Sequence, residues 1–302
     1  MFISYWNQFT SLISKERWSL PLDTVKQRHC LPDSRFIHLD GMDVHYRDVG
    51  EGPVLLCIHG IFSSLHNWLE WSEQLSDRYR VISIDMPNFG ITGPHPKGVK
   101  KHLYSDFLNT FTDALNIQEC AIAGNSLGGW MSYEFANRYP DKVKQLILID
   151  SAGFFFIPPL TLIGMGLPLT GWPMSQSPLP RQLVHTLVKG TYARPERLTD
   201  TILNRYFDLM RRPGNRLAGS RIVAYIRNHI GFDTSYLHTL KQPTLILWGK
   251  QDQWIPLAHA QKFADRIPNS ECILYDDCGH LPMEELALET AADVRAFLSR
   301  YQ

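Results

Sequence analysis

The chain has 302 residues, long for one simple domain but within reach of an α/β fold that carries an inserted segment. Its 30 basic and 30 acidic residues balance, so no net field draws nucleic acid or acidic substrates. A hydrophobic content of 44% argues against a disordered chain.

The first 34 residues read as an N-terminal extension with a helix. Phe2, Ile3, Trp6, Phe9, Leu12 and Ile13 share one face at helical spacing. Such a helix docks on the body of the protein or lies in a membrane interface. No basic region followed by a clean apolar run marks a secretory signal, so the chain reads as cytoplasmic, with membrane association as an open expectation. Residues 35–39 and 44–49 then form two antiparallel strands around an Asp40-Gly41 turn.

From residue 54 the pattern alternates. Strands at 54–58, 81–84, 120–123 and 145–149 are separated by helices at 67–75, 103–115 and 127–138. Continuous apolar strands between helices predict a mostly parallel sheet covered on both faces, an α/β fold. The alternation stops over 153–236. That segment opens with Phe154-Phe155-Phe156-Ile157-Pro158-Pro159, runs apolar to Trp172, and then shows helical periodicity at 181–189, 198–210 and 220–229. It reads as a helical cap on a core made of 35–152 and 237–302. The core resumes with strands at 244–248 and 272–275 and helices near 258–267 and 284–300. Cys30, Cys57, Cys120, Cys272 and Cys278 contain no C-x-x-C pair and read as free thiols, with Cys57, Cys120 and Cys272 on buried strands.

The sharpest chemical signal is Gly124-Asn125-Ser126-Leu127-Gly128, a G-x-S-x-G between a buried strand and a helix. A serine lifted above the sheet needs a tight turn, and a Cβ at Gly124 or Gly128 would clash in it. Leu127 then offers a free amide at the helix N-terminus to an oxyanion. A serine hydroxyl needs a base. His280, in the loop after the last strand, is the candidate, and Asp252, after the strand 244–248, is the acid that orients it. Asp150, Asp276 and Asp277 are rivals to Asp252. His59 reads as structural, and His29, His95 and His102 as surface histidines. The second oxyanion donor is expected from the amide of Ile61, with Phe62 next.

The motifs His59-Gly60, Asp85-Met86-Pro87-Asn88-Phe89-Gly90, Gly124–Gly128, Trp248-Gly249-Lys250-Gln251-Asp252 and Gly279-His280 together resemble the α/β-hydrolase superfamily over essentially the whole chain. The resemblance implies the order serine, acid, histidine along the chain, a cap insertion, and the roles given above. Asn88 stands where relatives usually carry glycine, which puts that turn's shape in question. A serine at the elbow argues against the branches that use aspartate there. Two branches remain: carboxylesterases and lipases, and carbon–carbon bond hydrolases of ring-fission products. The second usually has a glycine-rich loop after His-Gly and a tryptophan after the histidine; here Ile61-Phe62-Ser63-Ser64 and Leu281 occupy those places. The expected reaction is therefore ester cleavage through an acyl-enzyme, on a small-molecule and lipid-like ester. A non-catalytic binding protein of the same fold is the reading from another class. No ligand-spaced His/Cys cluster or phosphate-cradling loop appears, so no metal or organic cofactor is expected. Peripheral membrane contact through the N-terminal segment or the cap is a further expectation.

Overall fold

The computed structural model describes residues 18–167, 169–228 and 232–301. The helix expected on Phe2 to Ile13 lies outside the described residues. A short helix, α1 (Leu22–His29), precedes the hairpin of β1 (Arg35–Leu39) and β2 (Met42–Val49). Leu39 pairs with Met42, leaving a two-residue turn in which Asp40 and Gly41 both have positive φ, at 51° and 79°. These are the angles a type I′ turn demands, and they match the twist of the strands.

The chain continues through β3 (Val54–Ile58), α2 (Leu69–Leu75), β4 (Arg80–Ile84), α3 (Leu103–Ala114), β5 (Cys120–Asn125), α4 (Leu127–Arg138) and β6 (Val143–Ile149). After an insertion come β7 (Thr244–Gly249), a helix at Ala258–Arg266, β8 (Ser270–Tyr275) and the helices Pro282–Glu285 and Ala287–Ser299. The eight strands form one sheet in the order β1-β2-β4-β3-β5-β6-β7-β8. The two pairings of β2 are antiparallel and the rest are parallel.

The strand sequences are apolar throughout because both faces are covered. Leu55 and Cys57 of β3, Ile147 and Ile149 of β6, and Leu245 and Leu247 of β7 face one way, against Trp68, Trp71, Leu75, Val294 and Phe297. Leu56, Ile58, Leu146, Leu148, Ile246 and Trp248 face the other, against Leu103, Phe107, Phe111, Met131 and Phe135. Fully burying each such side chain contributes roughly 1.5–3 kcal/mol. The strand β8 is the sheet's edge and is only partly covered, so Cys272 is exposed, against the expectation of a buried thiol.

Two further differences have physical causes. The expected single C-terminal helix is broken at Leu286 (φ −131°, ψ 50°). The break lets Glu285 turn toward the loop before it while Ala287, Ala291 and Val294 face the sheet. The insertion between β6 and β7 contains two helices that the apolar run concealed, Leu160–Gly166 and Gly171–Gln176, ahead of Arg181–Lys189, Asp200–Met210 and Asn215–Asn228. The strand β4 lies on one side of β3 and β5 on the other, so the chain reverses its direction of travel across the sheet at β3. A crevice opens at the carboxyl ends of strands at such a point.

Candidate active site

Ser126 stands at this crevice, directly after β5. Its backbone has φ 56° and ψ −120°, a conformation that costs a non-glycine residue on the order of 1–3 kcal/mol. The surroundings hold it there: Ser126 N–H donates to Ile149 O at 2.9 Å, and its carbonyl accepts from Ala152 N at 2.9 Å and Gly129 N at 3.0 Å. A Cβ on Gly124 would lie 2.2 Å from Gly128 O, and one on Gly128 would lie 2.3 Å from Ile58 O. The turn therefore closes only with glycine at both places.

His280 lies in the loop after β8, its side chain almost fully buried. The loop is fixed at three points. His280 N–H donates to Thr191 O at 2.7 Å, Gly279 N–H donates to Glu285 Oε1 at 2.7 Å, and Asn125 Nδ2 donates to His280 O at 3.0 Å. Trp254 stacks on the imidazole with centroids 5.8 Å apart and planes 15° apart. Asp252, after β7, takes Nδ1 of that ring at 2.7 Å on Oδ2. Its Oδ1 accepts from Trp254 N at 2.7 Å and Ile255 N at 3.1 Å. A carboxylate on Nδ1 fixes the tautomer that leaves Nε2 free to accept a proton.

Ser126 and His280 line one cavity. Among the described residues the Ser126 hydroxyl makes no side-chain hydrogen bond. Among the described residues the amides of Ile61 and Phe62 donate to no backbone carbonyl, and Leu127 opens α4, where the first amides have no helical partner. Phe62 has φ 56°, so this loop too is held in a strained shape beside Ser126.

The rival acids separate clearly. Asp276 pairs with Lys250 and Asp277 with Arg194 at the surface. Asp150 is fully buried beside Asp252. His59 is buried; its Nδ1–H donates to Gly60 O at 2.7 Å and Nε2 accepts from Met86 N at 3.1 Å, which ties the loop after β3 to the one after β4. Burial holds its pKa below the usual histidine value. Asn88 adopts φ 79°, the left-handed angle a glycine would supply, so the turn survives the substitution. The surface reading of three histidines is corrected. His95 is buried, His29 pairs with Asp208 at 3.1 Å, and His102 with Glu134 at 2.8 Å. Sequence neighbours do not report partners 32 and 179 residues away.

Asn125, Thr191, Trp254 and Glu285 were not anticipated. Only Asn125 had a signal, its place inside the elbow motif.

The sequence pattern of the α/β-hydrolase fold matches residues 53–286. The chain belongs to this family. It is 28% identical over 273 residues to the 2-hydroxy-6-oxo-6-(2'-aminophenyl)hexa-2,4-dienoic acid hydrolase of Metapseudomonas resinovorans, covering 88% of this chain and 91% of that protein. It is 28% identical over 258 residues to Lipase 1 of Psychrobacter immobilis, covering 82% and 77%. The solved structure of a meta-cleavage product hydrolase from Pseudomonas fluorescens superimposes with a TM-score of 0.76 at 26% identity, covering 89% of this chain and 98% of that one. The protein is thus a hydrolase of the α/β fold. Among the described residues no helix is long and apolar enough to cross a membrane.

Proposed function

We propose that the protein is a serine esterase for esters with apolar acyl groups. The observation that carries this reading is the wall of the cavity at Ser126. Most of it is Ile61, Phe62, Leu162, Met165, Val184, Leu187, Val188, Met210, Trp254 and Leu281, with Ser63, Asn125, Thr191, Tyr206 and His280 as its polar members beside Ser126, and among the described residues it holds no Lys, Arg, Asp or Glu. The relative from Metapseudomonas acts on a dienoic acid. An ionised carboxylate buried in this cavity would meet no Lys or Arg side chain among the described residues, only the His280 imidazole and neutral polar groups, and would lose its hydration at a cost of several kcal/mol. An acyl chain gains about 0.8 kcal/mol per buried methylene.

In this scheme His280 Nε2 takes the proton of Ser126 as Oγ attacks the ester carbonyl. The amides of Ile61 and Leu127 hold the oxyanion. The intermediate collapses, the alcohol leaves with the proton from His280, and water attacks the acyl-enzyme by the same route in reverse. Asp252 orients the imidazole and stabilises its charged form. The carbon–carbon hydrolase is the second reading, favoured by the 28% identity to the ring-fission hydrolase along most of both chains.

The same reading extends to the source of substrate. Residues 153–180 contain no charged side chain. Phe155, Leu160, Leu169 and Trp172 are 72%, 83%, 88% and 63% exposed, and Leu162 and Met165 of the same segment line the cavity. The helix packed beside them, Asn215–Asn228, carries no acid and exposes Arg221 and Arg227, while Arg216 is buried. An apolar face backed by cations fits an anionic lipid surface.

Hydrolysis of p-nitrophenyl esters from acetyl to palmitoyl, beside a ring-fission dienoate, tests the assignment. Serine-dependent ester turnover that rises with chain length is expected, with Ser126→Ala slower by several orders of magnitude. Turnover of the dienoate alone would establish the second reading.

A further inference from the structure

The end of β6 carries a carboxyl group for which the scheme above has no use. Asp150 is completely buried and its backbone has φ 42°, a left-handed angle that is strained for aspartate. Its Oδ1 accepts from Gly249 N at 3.0 Å, while Oδ2 is buried and among the described residues meets no N–H or O–H donor. One oxygen each of Asp150 and Asp252 and one ring nitrogen of His280 lie within 4.8 Å of one another, so the two carboxyl groups share one buried site.

Two carboxylates at this distance do not both ionise; one keeps a proton. The hydrogen bonds decide which. Asp252 accepts from Trp254 N, Ile255 N and His280 Nδ1, whereas Asp150 accepts from Gly249 N alone. Each accepted bond favours the charged form, so Asp252 is the carboxylate and Asp150 the acid. Burial pushes the Asp150 carboxyl well above the usual carboxylate range, and the Asp252 charge pushes it the same way. Of the other groups facing it, the Gly249 N–H alone acts the opposite way. Glu285 adds a further acidic neighbour, and the Cys278 thiol, itself pushed up by burial, is neutral. A metal shared by the cluster does not fit its tightest contact. Two ligands on one zinc at about 2.0–2.2 Å each stand about 3.3–3.6 Å apart in tetrahedral geometry. The 2.7 Å between His280 Nδ1 and Asp252 Oδ2 is a direct hydrogen bond.

We infer that Asp150 is a positioning residue, a neutral carboxylic acid that donates a hydrogen bond to the Asp252 carboxylate and through it sets the basicity of His280. The donated proton draws charge from Asp252 and weakens its hold on imidazolium. Without it Asp252 binds the charged ring more tightly, and a higher pH is needed to free Nε2.

The inference rests on Ser126 and His280 acting as nucleophile and base. It is tested by a readout that needs no natural substrate, the rate at which a fluorophosphonate labels Ser126 as a function of pH. Asp150→Asn places an N–H donor without charge, and its acid limb is expected to coincide with that of the unsubstituted protein. Asp150→Leu removes the donor, and its limb is expected to rise by about one pH unit, the worth of one hydrogen bond to a charged group. A limb that falls in Asp150→Asn would mean that Asp150 is charged. An unmoved limb in Asp150→Leu would mean that it exerts no influence. Either result overturns the inference. A protein that is not labelled at any pH speaks instead against Ser126 as nucleophile, and a second measurement then decides. Infrared spectroscopy of the unsubstituted protein, carrying ¹³C-carboxyl aspartate, is expected to show the carbonyl stretch of a protonated aspartic acid at about pH 8, far above the ordinary aspartate pKa. Its absence would overturn the inference without any variant.

Discussion

One methyl group at Gly124 would sit 2.2 Å from Gly128 O and 2.4 Å from Ser132 Oγ. The first contact is with backbone, which cannot swing aside, so Gly124→Ala must displace the turn that carries Ser126. The expected outcome is a loss of about 1–3 kcal/mol in urea unfolding together with slower phosphonate labelling. Gly164→Ala is the matching control. Its Cβ would meet only the flexible end of Met174, Sδ at 3.4 Å and Cε at 3.9 Å, and alanine favours the helix, so stability is expected to hold or rise by up to about 1 kcal/mol. This contrast also marks how far the site could be read in the sequence. Ser126, Asp252 and His280 each follow a strand, and strand ends are legible because buried strands are runs of apolar residues bounded by turn residues. Asp150 was visible by the same logic, but only as a rival to Asp252. That the two carboxyls share one buried site, and that Trp254 covers the imidazole, depends on neighbouring strands and loops whose spacing no linear pattern records.

The elements of the sheet were legible for a related reason: strands covered on both faces have a composition of their own. The helices of the insertion were less so. A run from Leu160 to Trp172 that is largely apolar carries no helical periodicity, so although Gly164, Gly166, Pro168 and Gly171 interrupt it, the helices Leu160–Gly166 and Gly171–Gln176 on either side were not legible. What the run does record is the absence of charge, and that has a measurable consequence. If this face meets lipid, the protein is expected to float with vesicles of phosphatidylglycerol and less with those of phosphatidylcholine. Leu160→Asp with Trp172→Asp is expected to weaken that binding at least tenfold, since each buried apolar side chain contributes roughly 1.5–3 kcal/mol. Ser126→Ala, which leaves the face intact, is expected to bind as the unsubstituted protein does. Equal binding by the doubly substituted protein would place the contact elsewhere.

At the scale of the whole molecule, burying ionisable groups couples folding to pH. His66 donates from Nε2 to His29 O at 2.8 Å and is driven down to about 3, by burial first and by the charge of Arg205 second. Its folded pKa lies below its unfolded one, so between about pH 6.5 and 3 the unfolded chain binds a proton that the folded chain refuses. Stability from this group is complete above 6.5 and is lost as pH falls, by about 1.4 kcal/mol per unit once well below 6.5. Glu284 and Glu285 have the opposite slope. Burial raises both, so the folded chain holds protons that the unfolded chain has released, and their contribution is present at low pH and lost as pH rises. The total curve is therefore flatter than either set would make it, and a single melting profile does not separate them. His66→Gln does. Glutamine binds no proton in either state, and the glutamates stay in place. The stability of the unsubstituted protein minus that of His66→Gln is expected to be constant above about pH 7 and to fall by about 1.4 kcal/mol per unit toward pH 4, read from urea midpoints. A difference that does not change with pH would mean that His66 titrates alike folded and unfolded, and that the acid sensitivity of the fold has another origin.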